Sequence, residues 1–243
     1  MFANKNPDVK ASKMAIPIYL LFILIILLPA GTLISACFGY TFTLFSVSVF
    51  AVATAMLSVY TVVLHLVFKC TPESRVLQIL LALIAPLSFV HAVFYLIACS
   101  RIWIVASVLI SAGCCCFLAG KLGKPLALKI VALVLSGLLA LPVAFIGFIA
   151  LIFGNIGQNT VVQSLESPGG KYCAQIIDSN QGALGGDTLV EVHEKGGVNA
   201  ILFRVEKAPQ LVYVGEWGEF ENMQIYWKDD ACLVINSAEH EIE

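Results

Sequence analysis

Two histidines stand inside otherwise apolar sequence, His65 and His91. Ionisable groups in such stretches are candidates for proton or ion relays. His65 lies four residues before Lys69, at the end of its stretch. His91 is about fifteen residues into the next, roughly 22 Å deep at about 1.5 Å per helical residue. The two therefore sit at different depths, and neither stretch holds an Asp or Glu that could complete a relay. A polar contact between helices is the expected role of each. The eight cysteines are Cys37, Cys70, Cys99, Cys114, Cys115, Cys116, Cys173 and Cys232, none at zinc-ligand spacing from a histidine. Cys114 to Cys116 point three ways around a helix, which suits packing and excludes convergence on one ion. Cys173 and Cys232 fall in separate strand-like segments and could form a disulfide in an oxidising compartment.

In the polar last third, Asp178-Ser179-Asn180-Gln181-Gly182 through Gly185-Gly186-Asp187 imitates the start of a calcium loop. Its fifth ligand position is Gly182 and its twelfth Leu189, so the ligand set is incomplete. No P-loop lysine is present. A long glycine-rich hairpin loop presenting Asp178, Asn180 and Asp187 to a partner is the expected use. Glu216-Trp217-Gly218-Glu219-Phe220-Glu221 pairs carboxylates with aromatics, as glycosidases and carbohydrate binders do, but without a cleft the expectation is an acidic turn around a packed tryptophan. His193 and His240 have no serine or cysteine elbow beside them. No catalytic residue, cofactor or metal is assigned.

The elements that must carry these residues are of two kinds. The chain is 59% hydrophobic and 12% charged, far outside the soluble average. After a polar, basic lead at residues 1–14, five apolar runs follow at about 15–36, 42–68, 76–99, 102–120 and 130–153. Each is near or above the ~20 residues that cross a bilayer as a helix. Pro17, Pro29, Pro86 and Pro142 fall within or at the ends of these runs, which neighbouring helices tolerate. Ile34-Ser35-Ala36-Cys37 fits a lipoprotein processing box, yet apolar sequence resumes within five residues. Leu96-Ile97-Ala98-Cys99 fits the same box where it cannot operate, so an intact first span is expected.

Charge orients the spans. Lys5, Lys10, Lys13, Lys69, Arg75, Lys121, Lys124 and Lys129 flank one set of ends, and only Arg101 flanks the other. The positive-inside rule puts the N-terminus in the cytoplasm and, after five spans, the C-terminal part outside. From Met1 to Phe153 the only acids are Asp8 and Glu73. The remainder carries fourteen carboxylates against five Lys and Arg, a net charge of −9. Such an acidic surface disfavours nucleic acid, which needs clustered cations.

From residue 154 the pattern period becomes two. Strands are expected at Thr160–Glu166, Lys171–Asp178, Thr188–Glu194, Ala200–Val205, Leu211–Glu216, Asn222–Lys228, Cys232–Asn236 and near His240–Ile242, between turn signals rich in Gly, Pro and Asp. Asn155–Thr160 reads as a short linker. Tyr172, Phe203, Tyr213, Trp217, Phe220, Tyr226 and Trp227 are the expected bulk of the core. Two stretches, Ser167-Pro168-Gly169-Gly170-Lys171-Tyr172 and Ile225-Tyr226-Trp227-Lys228-Asp229-Asp230 with Leu233-Val234-Ile235-Asn236, resemble a strand entry and the closing hairpin of an uncharacterised bacterial family, mostly Gram-positive, that places a β domain after apolar segments. Gly169 departs from that family's usual Asp or Asn. The resemblance implies architecture and no catalytic residues.

The expected fold is a membrane all-α bundle of five transmembrane helices, residues 15–153, followed by a small all-β extracytoplasmic domain, residues 154–243. The expected function is a non-enzymatic multi-pass cell-membrane protein. It contacts membrane lipid and displays an acidic domain to an envelope protein or cell-wall component. The alternative is a membrane-embedded carrier, or an accessory subunit of one, with the domain as an external cap.

Overall fold

The computed structural model describes residues 7–72, 74–98, 101–153, 158–182 and 185–242. Among the described residues, five helices are long and apolar enough to cross a membrane: α1 (Pro7–Cys37), α2 (Val47–Phe68), α3 (Arg75–Ala98), α4 (Ile102–Leu122) and α5 (Leu126–Phe153). The chain divides into two compact units, Met1–Leu33 with Leu44–Ile152, and Ile34–Thr43 with Phe153–Glu243. Two boundaries differ from the sequence expectation. Helix α1 already starts at Pro7, where proline's fixed φ and missing N–H suit a first helical position. The second apolar run is not helical throughout: Tyr40–Leu44 forms a strand, β1. Its alternating aromatic and Thr residues favour extended backbone. Ser46 then caps α2, its hydroxyl accepting the Val49 N–H at 3.3 Å.

The helical unit packs an apolar core that includes Met14, Ile18, Leu81, Ile84 and Leu118, and it also buries polar groups while exposing large apolar ones. Buried positions include Thr54, Ser58 and Thr61 on α2, Ser88 and His91 on α3, Ser111 on α4 and Ser136 on α5. Large apolar side chains such as Met56, Leu66, Ile110, Leu138 and Phe145 are exposed. A water-facing surface this apolar would be an aggregation liability, whereas lipid accepts it. Most inward hydroxyls bond within their own helices: Thr54, Thr61 and Ser136 donate to the carbonyls four residues back at 2.7–2.8 Å, while Ser111 Oγ has no partner among the described residues. Small residues such as Ala51, Ala55 and Ser58 on α2, and Ala112, Cys115 and Ala119 on α4, are buried. They let backbones approach closely where no hydrophobic effect drives helices together. His91 makes the interhelical polar contact, its Nδ1 lying 3.0 Å from the Ile25 carbonyl of α1, with its ring against Tyr95.

The second unit is a β domain. A four-stranded antiparallel sheet runs in the order β2 (Gln158–Glu166), β3 (Tyr172–Asn180), β4 (Gly186–Glu194), β7 (Gln210–Glu216). One three-stranded sheet joins β8 (Ile225–Trp227), β9 (Cys232–Ile235) and β10 (Ala238–Glu241). Another has the order β1, β6 (Phe203–Lys207), β5 (Gly197–Asn199). The expected strand at Ala200–Val205 is thus a turn and a shorter strand, with the Ala200 N–H on the Phe203 carbonyl closing the β5–β6 hairpin. The expected linker is shorter too, since Gln158–Thr160 belong to β2; residues 154–157 lie outside the described set.

The connector between α1 and α2 therefore contributes a strand to the domain at the other end of the sequence. The Ala208 N–H reaches the Gly39 carbonyl at 2.8 Å, and the rings of Phe42 and Phe203 stand 4.9 Å apart. The period-two pattern fills the domain core with Tyr172, Ala174 and Ile176 of β3, Val190 and Val192 of β4, Leu233 and Ile235 of β9, and Ile242. The core is more aliphatic than expected. Trp217 and Tyr226 are exposed, while Tyr213, Phe220 and Trp227 pack at its margin.

Candidate functional site

The ten-residue loop expected at 178–187 is a tighter hairpin. Strand pairing continues to Asn180 opposite Gly186, and the Gln181 N–H closes on the Gly185 carbonyl at 2.8 Å. The three polar side chains assigned to partner binding do different things. Asn180 Oδ1 accepts the Gly182 N–H at 2.8 Å and shapes the turn. Asp187 Oδ2 accepts from the Gln181 amide at 3.0 Å. Asp178 Oδ1 accepts from the Trp217 indole Nε1 at 3.1 Å. Among the described residues, no group of three or more His, Cys, Asp or Glu is arranged to hold a metal ion.

That indole is the feature the sequence reading missed. Trp217 was expected inside the core, but it is 54% exposed. Its ring lies over Gly186, where an added Cβ would collide with the indole. Glycine at 186 and the Asp178 carboxylate thus hold a large aromatic face in one orientation at the surface. Beside it, an open cleft of about 790 Å³ is lined by Asp187, Tyr213, Gly215, Glu216, Trp217 and Glu219, among others.

The carboxylates around this cleft are not equivalent. Glu219 is structural: it accepts from the Tyr213 hydroxyl at 2.7 Å, the Asn236 amide at 2.8 Å and the Glu216 N–H at 3.1 Å. Its hydrogen bond holds the Tyr213 hydroxyl above the usual phenol range. Asp187 and Glu216 sit directly opposite one another on β4 and β7. Like charges in that relation destabilise a sheet, and among the described residues neither has an ion-pair partner. No sequence signal could have paired them, because two strands intervene between β4 and β7.

Cys173 and Cys232 are free thiols, not the disulfide the sequence allowed. Cys173 Sγ points to its neighbour's carbonyl, Ala174 O, at 4.0 Å, and Cys232 Sγ to Glu239 Oε2 at 3.7 Å. Loss of surrounding water, with Glu239 nearby, pushes the Cys232 thiol up. Cys173 is paired across the sheet with His193, whose Nε2 lies 3.6 Å from Glu191 Oε2. Cys99 lies outside the described residues. No family model, no curated protein and no solved structure matches this chain.

Proposed function

We propose that this is a non-enzymatic multi-pass membrane protein whose acidic β domain, held outside the cell, binds a cationic partner through Trp217, Asp187 and Glu216. The like-charge pair carries the reading. Two carboxylates facing each other without a cation cost stability, and a ligand's ammonium or guanidinium group would relieve that cost. The immobilised indole supplies an apolar and cation-attracting face at the same spot. An envelope protein with an exposed Lys or Arg, or a cell-wall component bearing free amines, has the matching chemistry. The resemblance of the tail to the Gram-positive family belongs to this reading. The two stretches that carry it are joined in space, since the Gly169 N–H donates to Asp230 Oδ1 at 2.6 Å. An aspartate or asparagine side chain at 169 would displace that carboxylate.

The test uses the full chain in its membrane, cross-linked to envelope material and compared with Trp217→Ala and Glu216→Gln. Loss of the indole is expected to weaken capture by roughly thirtyfold, or about 2 kcal/mol, as for an aromatic anchor. Glu216→Gln is expected to weaken capture while stabilising the domain by about 0.2–1 kcal/mol through relief of the pair. Equal capture by wild type and both variants would exclude this surface.

A further inference from the structure

The helical unit holds a second site, made of cations. A cavity of about 1010 Å³ is lined by His65 of α2, Thr71 and Pro72 of the α2–α3 connector, Arg75 and Gln78 of α3, Lys121 of α4 and Lys124 of the α4–α5 connector, among others. The buried Gln78 side chain builds its back wall. Gln78 Nε2 donates to the Pro72 carbonyl at 2.7 Å, and Gln78 Oε1 accepts the Lys124 N–H at 3.0 Å. One residue thereby ties both connectors together. His65 is tied to the same wall, its Nδ1 3.1 Å from the Cys70 carbonyl.

Three features of this cavity favour an anion. Arg75, Lys121 and Lys124 make no ion pair among the described residues. Helices α3 and α5 both begin at it, and neither has an acidic residue in its first turn. The Ser74 hydroxyl accepts the Val76 N–H at 3.2 Å at the start of α3, whereas the first turn of α5 has no acid to offset the positive end of its dipole. The lining also includes Ile79, Leu122 and Leu128, so apolar surface continues from the cations toward the helix flanks, as an amphiphile with a charged head requires.

We propose that this cavity binds a phosphate ester, the chemistry shared by anionic lipid headgroups and free phosphate compounds. Arg75 supplies the forked donor that matches two phosphate oxygens, Lys121 and Lys124 supply point charges, and the α5 start supplies backbone donors. Scattered positive-inside lysines hold no such shape. Here the cations share one half-open cavity. The site is built from the helical unit alone and stands independently of the Trp217 surface.

The test is a titration of the purified full chain in zwitterionic detergent, following thermal unfolding. The probes are short-chain phosphatidylglycerol, short-chain phosphatidylcholine, inorganic phosphate and pyrophosphate. Saturable stabilisation by phosphatidylglycerol and none by phosphatidylcholine is expected. Lys121→Gln with Lys124→Gln should weaken it on the order of tenfold or more. Lys69→Gln with Lys129→Gln removes the same charge from residues that do not line the cavity, and should leave affinity within about threefold. Arg75→Lys keeps the charge and should weaken binding through the lost fork. Competition by phosphate or pyrophosphate would identify a free phosphate compound as the ligand; indifference to both would identify the lipid headgroup. Equal loss in the two double variants, equal binding of phosphatidylcholine, or no stabilisation by any anion would overturn the proposal.

Discussion

At the scale of single residues, the β domain uses its charges in two ways. Some are spent on structure. Glu219 gathers three donors, and Lys228 Nζ donates to Glu239 Oε1 at 2.6 Å across the β8–β10 sheet. The Lys228 ammonium holds the Glu239 carboxyl below the usual carboxylate range. The folded-state pKa is thus lower than the unfolded one. The pair's contribution is complete above the ordinary value of about 4.3 and is lost as pH falls through the depressed one. Both groups are solvated, so the contribution is small and the titration itself is the better readout. In an NMR titration, Lys228→Met should return the Glu239 carboxyl toward its ordinary value; an unchanged midpoint would refute the assigned cause. The Asp187–Glu216 pair is the opposite case, since it has no internal cation to serve.

Among the elements, β1 changes how the domain is understood. The sequence showed five apolar runs and a strand-rich tail, and every expected strand region contains strand. It did not show that Tyr40–Leu44 leaves the membrane pattern. Hydropathy alone cannot separate an aromatic-rich strand from the start of a span, although Ser46 as a helix cap was legible. Trp217 was misplaced for a related reason: size and apolarity suggest burial, while the collision-free face over Gly186 exists only once β3, β4 and β7 are assembled. A consequence is that the tail beginning at Gln158 is not the whole domain, because its β6 edge lacks β1. Hydrogen exchange on the full chain should show backbone amides of residues 40–43 protected comparably to those of β6. Phe42→Ser removes the ring contact with Phe203 and should release both segments together. Fast exchange at 40–43 in the wild type would mean the connector is not part of the sheet.

At the level of the whole molecule, β1 constrains topology independently of charge. The connector after α1 and the tail after α5 share a sheet, so they lie on one side of the membrane. Four helices separate them, and an even number of crossings returns the chain to the side it left. An arrangement in which one of α2 to α5 failed to cross would break that pairing. The cations are the ground on which we propose the outer side. Eight Lys and Arg flank the ends opposite the tail and one, Arg101, flanks the ends on its side. The tail itself is −9, which opposes retention against an anionic inner leaflet. A periplasmic-type phosphatase fused after Glu243 should therefore be active and a fluorescent protein at the same junction dark, with the reverse for fusions after Lys124. Replacing Lys121, Lys124 and Lys129 by Gln leaves five basic residues against one, so the orientation should persist while the phosphate-ester site is lost. A fluorescent reporter lighting up after Glu243 in the wild-type chain would invert the topology. It would place the acidic cleft in the cytoplasm and the basic cavity outside, exchanging the compartments in which their ligands must be sought.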